Sequence, residues 1–363
     1  MVKPFEEIYR GKTVVVTGHT GFKGSWLSLW LSELGARVVG CSLDPPQDSM
    51  YPIVAPSVDK DLRCDIRDAE ALADLIRDAR PDFVFHLAAQ PIVLESYRDP
   101  LTTVAVNVLG TAHLLEAVRA LDKVCHTVVV TSDKCYLNRE WEFAYRECDP
   151  LGGKDVYSAS KAAAEILVAS WEQSFFREAG KGQLATARGG NVIGGGDFAS
   201  DRIFPDCMRA LAAGHSVEVR SPNAVRPWQH VLDCLSGYLR LGEWLASGLA
   251  SKHDEMRSFN FGPPSEAQRP VRELVEEILT CWPGEWTDVS DPTAPGEAGR
   301  LSVSIERSAT VLGWKPTWDF TQSVSSTVEW YRENAEGGDL DALRQLMKDQ
   351  VSRFVKDMKL DAL

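Results

Sequence analysis

Between Gly11 and about Arg188, short runs rich in β-branched residues alternate with stretches of helical periodicity. The runs are TVVVT (13–17), RVVGCS (37–42), DFVFHLAA (82–89), HTVVVTS (126–132) and QLATARGGNV (183–192). Two of the intervening stretches, SWLSLWLSELG (25–35) and AEALADLIRDARP (69–81), repeat apolar residues at helical spacing and stop at Gly35 and Pro81, residue types that end helices. Strands separated by helices in this way build βαβ units, since a crossover helix buries its apolar stripe on a parallel sheet. The predicted class is therefore α/β, a Rossmann-type doubly wound parallel sheet over residues 1–190.

After about Gly194 the rhythm breaks. Turn-rich segments (GGGDF, SPNAVRPWQH, NFGPPS, WPGEWTDVSDPTAPGEAG) separate isolated helices such as VRELVEEILTCW (271–282). At 363 residues the chain exceeds the roughly 250 to 300 that one core usually serves. A smaller, irregular C-terminal substrate lobe is expected over 191–363, with some later segments returning to the first domain. The last helices, predicted over Leu340–Met347 and Val351–Met358, are charged and read as surface-lying.

Composition narrows the partners. A net charge of −13 opposes nucleic acid, which a broad basic surface would attract. No window approaches the roughly 18 uninterrupted apolar residues of a membrane span, and MVKPFEEIYRGK carries no signal-like apolar stretch. A soluble cytoplasmic protein is expected. Eight cysteines are spread singly without a CxxC pair, which reads as free thiols and no metal site.

VVVTGHTGFKGSW sets Gly18, Gly21 and Gly24 between a strand and a helix. That context suits a tight turn, close approach of a diphosphate to bare backbone, and N–H groups at a helix start facing negative charge. His19, Phe22 and Lys23 lie in the same loop, where His19 and Lys23 could supplement the backbone donors. Asp44, just past the second strand, is the candidate ribose acid. With no arginine at that strand end, NAD is favoured over NADP. CDIRD (64–68) offers Asp65 and Ile66 to an adenine.

YSASK places Tyr157 and Lys161 four residues apart, hence on one helical face. A phenol's ordinary pKa near 10 is too high for a base at neutral pH, so an adjacent ammonium and a positive nicotinamide ring are expected to favour phenolate. TSDKCY (131–136) ends a strand with Ser132, Asp133 and Lys134, facing the same crevice if the sheet is parallel. His86 and His230 read as structural.

Together TGHTGFKG, DIRD, HLAAQ, the NVLGT stretch around Asn107, YSASK, GGNVIG and RPWQHV resemble the extended short-chain dehydrogenase/reductase family, which acts mainly on nucleotide-linked sugars. More narrowly, TGHTGFKGSWL, TSDKCY, GGKDVYSASKAAAE and RPWQHV are similar to its CDP-glucose 4,6-dehydratases. The resemblance implies bound NAD, a nucleotide-sugar substrate, and commonly a homodimer joined through helices of the large domain. It adds Ala88, Ala89 and Asn107 to the cofactor site, and Asn191 to the substrate site. Arg202 and Arg226 are candidate diphosphate clamps.

The implied chemistry is an internal redox cycle: oxidation at C4 by Tyr157 with Ser132 and Lys161, loss of water across C5 and C6, and hydride return to C6. Asp133 looks like the acid for the C6 hydroxyl. Lys134 stands where related dehydratases carry Glu; it is either the C5 base or an ion-pair partner of Asp133. Three positions depart from the family pattern: Gly296 replaces a common His, Ser304 a common Asp, and Val156 a common Pro. A nucleotide-sugar 4-epimerase, or a non-catalytic dinucleotide sensor, remains as an alternative.

Overall fold

The computed structural model describes residues 4–177, 181–200, 202–251, 256–264, 267–290 and 301–358; Gly296 lies outside them. The β-branched runs form β1 (Thr13–Thr17), β2 (Arg37–Ser42), β3 (Lys60–Arg63), β4 (Phe83–His86), β5 (His126–Val130) and β6 (Leu184–Gly189), joined by β7 (Ser258–Phe261). They make one sheet in the order β7-β6-β5-β4-β1-β2-β3, and every adjacent pair is parallel. The order reverses between β1 and β4, and ligands of such sheets bind at this switch, beyond the strands' carboxyl ends.

Alternate strand residues serve opposite layers, as the period of two requires. Val15, Val39, Val84 and Val129 pack with Leu72, Ile76, Leu114 and Leu115 of α2 (Ala69–Ala79) and α3 (Pro100–Arg119). Val14, Val16, Phe85 and Val128 pack on the other side with Trp26 and Trp30 of α1 (Phe22–Glu33). Both faces are covered, so the strands read as continuous apolar runs.

α4 (Val156–Trp171), α5 (Ile203–Ala212), α6 (Val231–Ala246), α7 (Val271–Cys281), α8 (Phe320–Ala335) and α9 (Leu340–Asp357) complete the frame used below. The second half packs back on the first through β7, α6 and α9. β7 adds a strand beyond β6, with Phe259 opposite Ala187, and α6 lies across β5 and β6. One apolar cluster consequently runs from Phe5 to Phe354. The change of rhythm near residue 190 marks a change in chain topology, while the packing is continuous across it.

Two expectations change. The C-terminal segment is a single helix, α9, and it buries Leu343, Met347, Val351 and Phe354. Phe354 meets Trp30 and Trp318 edge-on. The apolar stripe at i, i+4, i+8 and i+11 bridges the charged Lys348-Asp349 pair that suggested two surface helices. β7 was hidden because SFNF is four residues long and sits among turns.

Candidate active site

The nucleotide loop closes as its glycines require. Gly18 has φ +73°, a left-handed conformation suited to glycine, and a Cβ there would sit 2.7 Å from the Ala88 nitrogen. A Cβ on Gly24 would run into the Gly18 carbonyl. Gly21 caps α1, so the first N–H groups of that helix face the loop. The cradle is one that bare backbone, and an anion, fit. Ala88 and Ala89 follow β4 and are half-buried; the Ala88 N–H donates to Thr17 Oγ1 at 3.2 Å.

TSDKCY follows the end of β5. Ser132 caps a short 3-10 turn over Asp133–Cys135, accepting from the Lys134 N–H at 3.2 Å. Its hydroxyl donates to Asp133 Oδ1 at 3.0 Å. A Cβ on Gly190 would come within 2.7 Å of Asp133 Oδ2, so the glycine after β6 leaves room for that carboxyl. Asp133 is buried, which pushes its carboxyl above the ordinary range; Lys134, Ser132 and Lys23 oppose the shift. Lys134 is half-buried, acts on Asp133 electrostatically, and makes no ion pair with it among the described residues.

α4 begins where Asp155 accepts from the N–H and hydroxyl of Ser158 at 2.8 and 2.7 Å, a strong N-cap. A Cβ on Gly153 would crowd the Ala159 nitrogen, so the entry to the helix is close-packed. Val156 stands at the first helical position, which also accepts proline. Tyr157, Lys161 and Glu165 then fall on one buried face. Burial pushes the Tyr157 phenol up to about 12, opposed by the Ser132 hydroxyl and by Arg202. Lys161 comes down to about 8, through burial and then through repulsion by Lys23. Its ammonium donates to the Val130 carbonyl at 3.4 Å.

Several side chains do something other than the sequence suggests. The rise of the Tyr157 phenol is opposed chiefly by the Ser132 hydroxyl, while the Lys161 ammonium donates to the end of β5. Lys23 does not stay at the loop mouth. Its ammonium reaches Tyr238 Oη at 3.5 Å and Cys234 Sγ at 3.9 Å, and its charge acts on Asp133 and Lys161. The His19 side chain is fully buried on Gly40 and Asp61, with Nε2 2.8 Å from Asp61 Oδ1, so the ring lies beneath the loop rather than over it. Asn107 spends its amide on the Gln90 N–H (2.8 Å), the Gln90 carbonyl (3.1 Å) and Ser160 Oγ (2.9 Å). It ties the end of β4 to α4.

Beyond β2, the expectation that no arginine stands at that strand end fails. Arg63 ends β3, in register with Ser42, and its Nε lies 3.0 Å from Asp44 Oδ1. Sequence distance hid it: only strand pairing puts residue 63 beside residue 44. Asp65 is held by Arg67 in a fork at 3.0 and 2.6 Å, and Ile66 packs against Gly110 of α3. Asn191 is half-buried just past β6. Arg202 pairs with Asp197 at 2.8 Å while lowering the Tyr157 phenol. Arg226 is half-buried and donates to the Val225 carbonyl at 3.0 Å. Ser304 donates to Glu306. His86 and His230 are buried and held neutral, each at about 3 by burial, as structural histidines. The eight cysteines are free, and no cluster of metal-ligating side chains occurs among the described residues.

The crevice thus collects Lys23, Lys134, Lys161 and Arg202 around Asp133 and Tyr157 in a chain of net charge −13. These local cations suit a polyanionic ligand that the overall charge would repel.

Comparison with known proteins follows the same line. A CDP-glucose 4,6-dehydratase of Salmonella typhimurium is 43% identical over 92% of this chain and 94% of its own. A UDP-glucose 4-epimerase of Mycolicibacterium smegmatis is 27% identical, over 89% of this chain and 99% of its own. Among solved structures, dTDP-glucose 4,6-dehydratase of Bacillus anthracis in complex with NAD shares the fold, with TM-score 0.72 and 21% identity over 90% of this chain and 98% of that one. The family model described as GDP-mannose 4,6 dehydratase matches residues 15–327. With its loop, its YSASK helix and most of its length accounted for in this way, the chain belongs to the GDP-mannose 4,6 dehydratase family.

Proposed function

We propose that the chain is an NAD-dependent nucleotide-sugar 4,6-dehydratase, a hydro-lyase that converts CDP-D-glucose to CDP-4-keto-6-deoxy-D-glucose. The observation that carries this reading is the convergence of Ser132, Tyr157 and Lys161, an alcohol-oxidising set, with a buried carboxyl of raised pKa, Asp133, in one crevice beside a dinucleotide loop. The 43% identity to a CDP-glucose 4,6-dehydratase supports the choice of nucleotide.

The loop glycines Gly18, Gly21 and Gly24 would hold the diphosphate of NAD, with Asp44, Asp65 and Ile66 at its adenosine end and Lys161 toward the nicotinamide ribose. NAD held there would supply the hydride acceptor for C4 and the hydride donor for C6. Tyr157 removes the C4 hydroxyl proton, with Ser132 hydrogen-bonding the same oxygen; burial opposes the phenolate, so the positive nicotinamide ring and the Lys161 ammonium would have to favour it. The new C4 carbonyl acidifies the C5 hydrogen. We assign that proton to Lys134, and protonation of the departing C6 hydroxyl to Asp133, so that water leaves across C5 and C6. Asp133 suits this role because burial favours its proton-bearing form. Return of a proton to C5 completes the product. Asn191, Arg202 and Arg226 are assigned to the substrate diphosphate.

A homodimer joined through α3 and α4 fits the surface. Leu101 is 80% and Ile166 59% exposed, with Val104 and Leu109 further along α3. α3 is long and apolar enough to cross a membrane by length and composition, yet its inner face packs on α2 and α4. An exposed apolar stripe on such a helix suits a second copy.

The test is turnover of CDP-, UDP-, dTDP- and GDP-glucose with NAD, with NMR of the products. A 4-keto-6-deoxy product from CDP-glucose is expected. A C4 epimer would establish the epimerase instead, and no product from any of the four would leave a binding protein. The epimerase has no use for a protonated acid at C6, which is why Asp133 favours the dehydratase.

A further inference from the structure

At the outer edge of the sheet, the ends of β2 and β3 bring together charges that are distant in sequence. Arg63 forms a two-pronged contact with Asp61, Nη1 to Oδ1 at 2.5 Å and Nη2 to Oδ2 at 2.8 Å. Its third nitrogen, Nε, lies 3.0 Å from Asp44 Oδ1. The guanidinium also covers the Tyr51 ring at 5.6 Å. Asp61 is anchored from below by His19, whose Nε2 is 2.8 Å away. Arg63 and Asp61 are each 35% exposed and Asp44 91%, so the cluster opens to solvent where the second strand ends.

That place has a defined meaning in dinucleotide folds. An acid there hydrogen-bonds the ribose 2′-hydroxyl, whereas an arginine there accommodates a 2′-phosphate. This chain holds both. Every nitrogen of the guanidinium fork faces a carboxylate or His19. With His19 neutral, one arginine and two carboxylates sum to a net single negative charge.

We propose that Asp44 and Asp61 hold Arg63 neutralised, and that this charge triad sets the chain's preference for NAD over NADP. The inference rests on the reading that a dinucleotide occupies the loop. A 2′-phosphate carries a charge of about −1.5 to −2 near neutral pH. It would have to compete with two carboxylates for one guanidinium while lying beside their charge. A 2′-hydroxyl needs only the acceptor that exposed Asp44 presents. Arg63 is thus a latent phosphate ligand, and selectivity lies in its two acidic partners more than in the lack of an arginine.

Equilibrium titration by calorimetry reads this directly. The chain is freed of endogenous dinucleotide and titrated with NAD, NADP, and the fragments AMP and adenosine 2′-monophosphate. The unaltered chain is expected to bind NAD at least about thirtyfold tighter than NADP. Asp44→Asn, on an exposed side chain that should not disturb folding, and Asp44→Asn with Asp61→Asn, should tighten NADP and adenosine 2′-monophosphate at least about tenfold. Adding Arg63→Ala to the double variant should remove that gain. NADP affinity unchanged within twofold in both variants, or a gain that survives Arg63→Ala, overturns the proposal while leaving the dinucleotide reading intact. An unaltered chain that binds neither dinucleotide overturns that reading and the proposal with it.

Discussion

The Arg188 guanidinium and the Glu165 carboxylate meet at 2.7 Å with side chains 3% and 0% exposed, one helical turn beyond Lys161 on α4. Glu165 also accepts from Thr131, Thr186 and Ser258, while Arg188 donates to Tyr136 Oη at 2.8 Å. The pair therefore ties the helix carrying Tyr157 and Lys161 to the strand end carrying Ser132. Removing one partner leaves the other buried and uncompensated, which costs about 3 to 5 kcal/mol. Glu165→Gln and Arg188→Met should each lower unfolding free energy in urea by about that amount. The double variant should fall short of the sum of the two.

Tyr157→Phe keeps the ring in its buried place and removes only the hydroxyl assigned to take the C4 proton. Turnover should fall by about 10² to 10⁴, the usual value of a positioned base, while NAD affinity by calorimetry stays within about threefold. Loss of both together would point to a structural role for the phenol.

Lys161, at about 8 through burial and then Lys23, is charged below that pH and neutral above it. If its charge supports oxidation at C4, kcat should fall as pH rises through about 8. Lys23→Met removes a repelling positive charge, so the alkaline limb should move to higher pH. A limb that stays in place under Lys23→Met would separate it from Lys161.

Asp133→Asn deletes the carboxyl assigned as acid without emptying the space beside Gly190. C4 oxidation should survive while elimination slows by roughly 10² or more. A single turnover with excess enzyme should then show reduced cofactor persisting in the near-ultraviolet. Normal elimination in this variant would remove Asp133 from the C6 role.

Leu101→Glu with Ile166→Glu places charge on the exposed apolar face of α3 and α4. If that face joins two copies, sedimentation should shift from dimer to monomer, with the circular dichroism of the folded chain retained. A monomer in the unaltered chain would discard the proposed assembly.

Much of the frame was legible before any coordinate. Short continuous β-branched runs alternating with period-3.6 helices encode a parallel sheet locally, glycine spacing encodes a tight strand-to-helix turn, and the four-residue step from Tyr157 to Lys161 needs only helix geometry. The same local logic located the ends of β1 and β2 and the start of α2. It failed where an element depends on distant partners. β7 pairs with a strand some 70 residues earlier, and α9 is continuous because Trp30 and Trp318 wait for its stripe.

The sequence by itself determined the class of sheet, the glycine loop and the candidate reacting groups, since each is written in neighbouring residues. Only the tertiary structure decided where the polar groups go: Lys23 into the crevice, His19 beneath the loop, Asn107 onto α4, and Arg63 between Asp44 and Asp61. Electrostatic partners are chosen by distance in space and by burial, and strand register, not sequence separation, sets both.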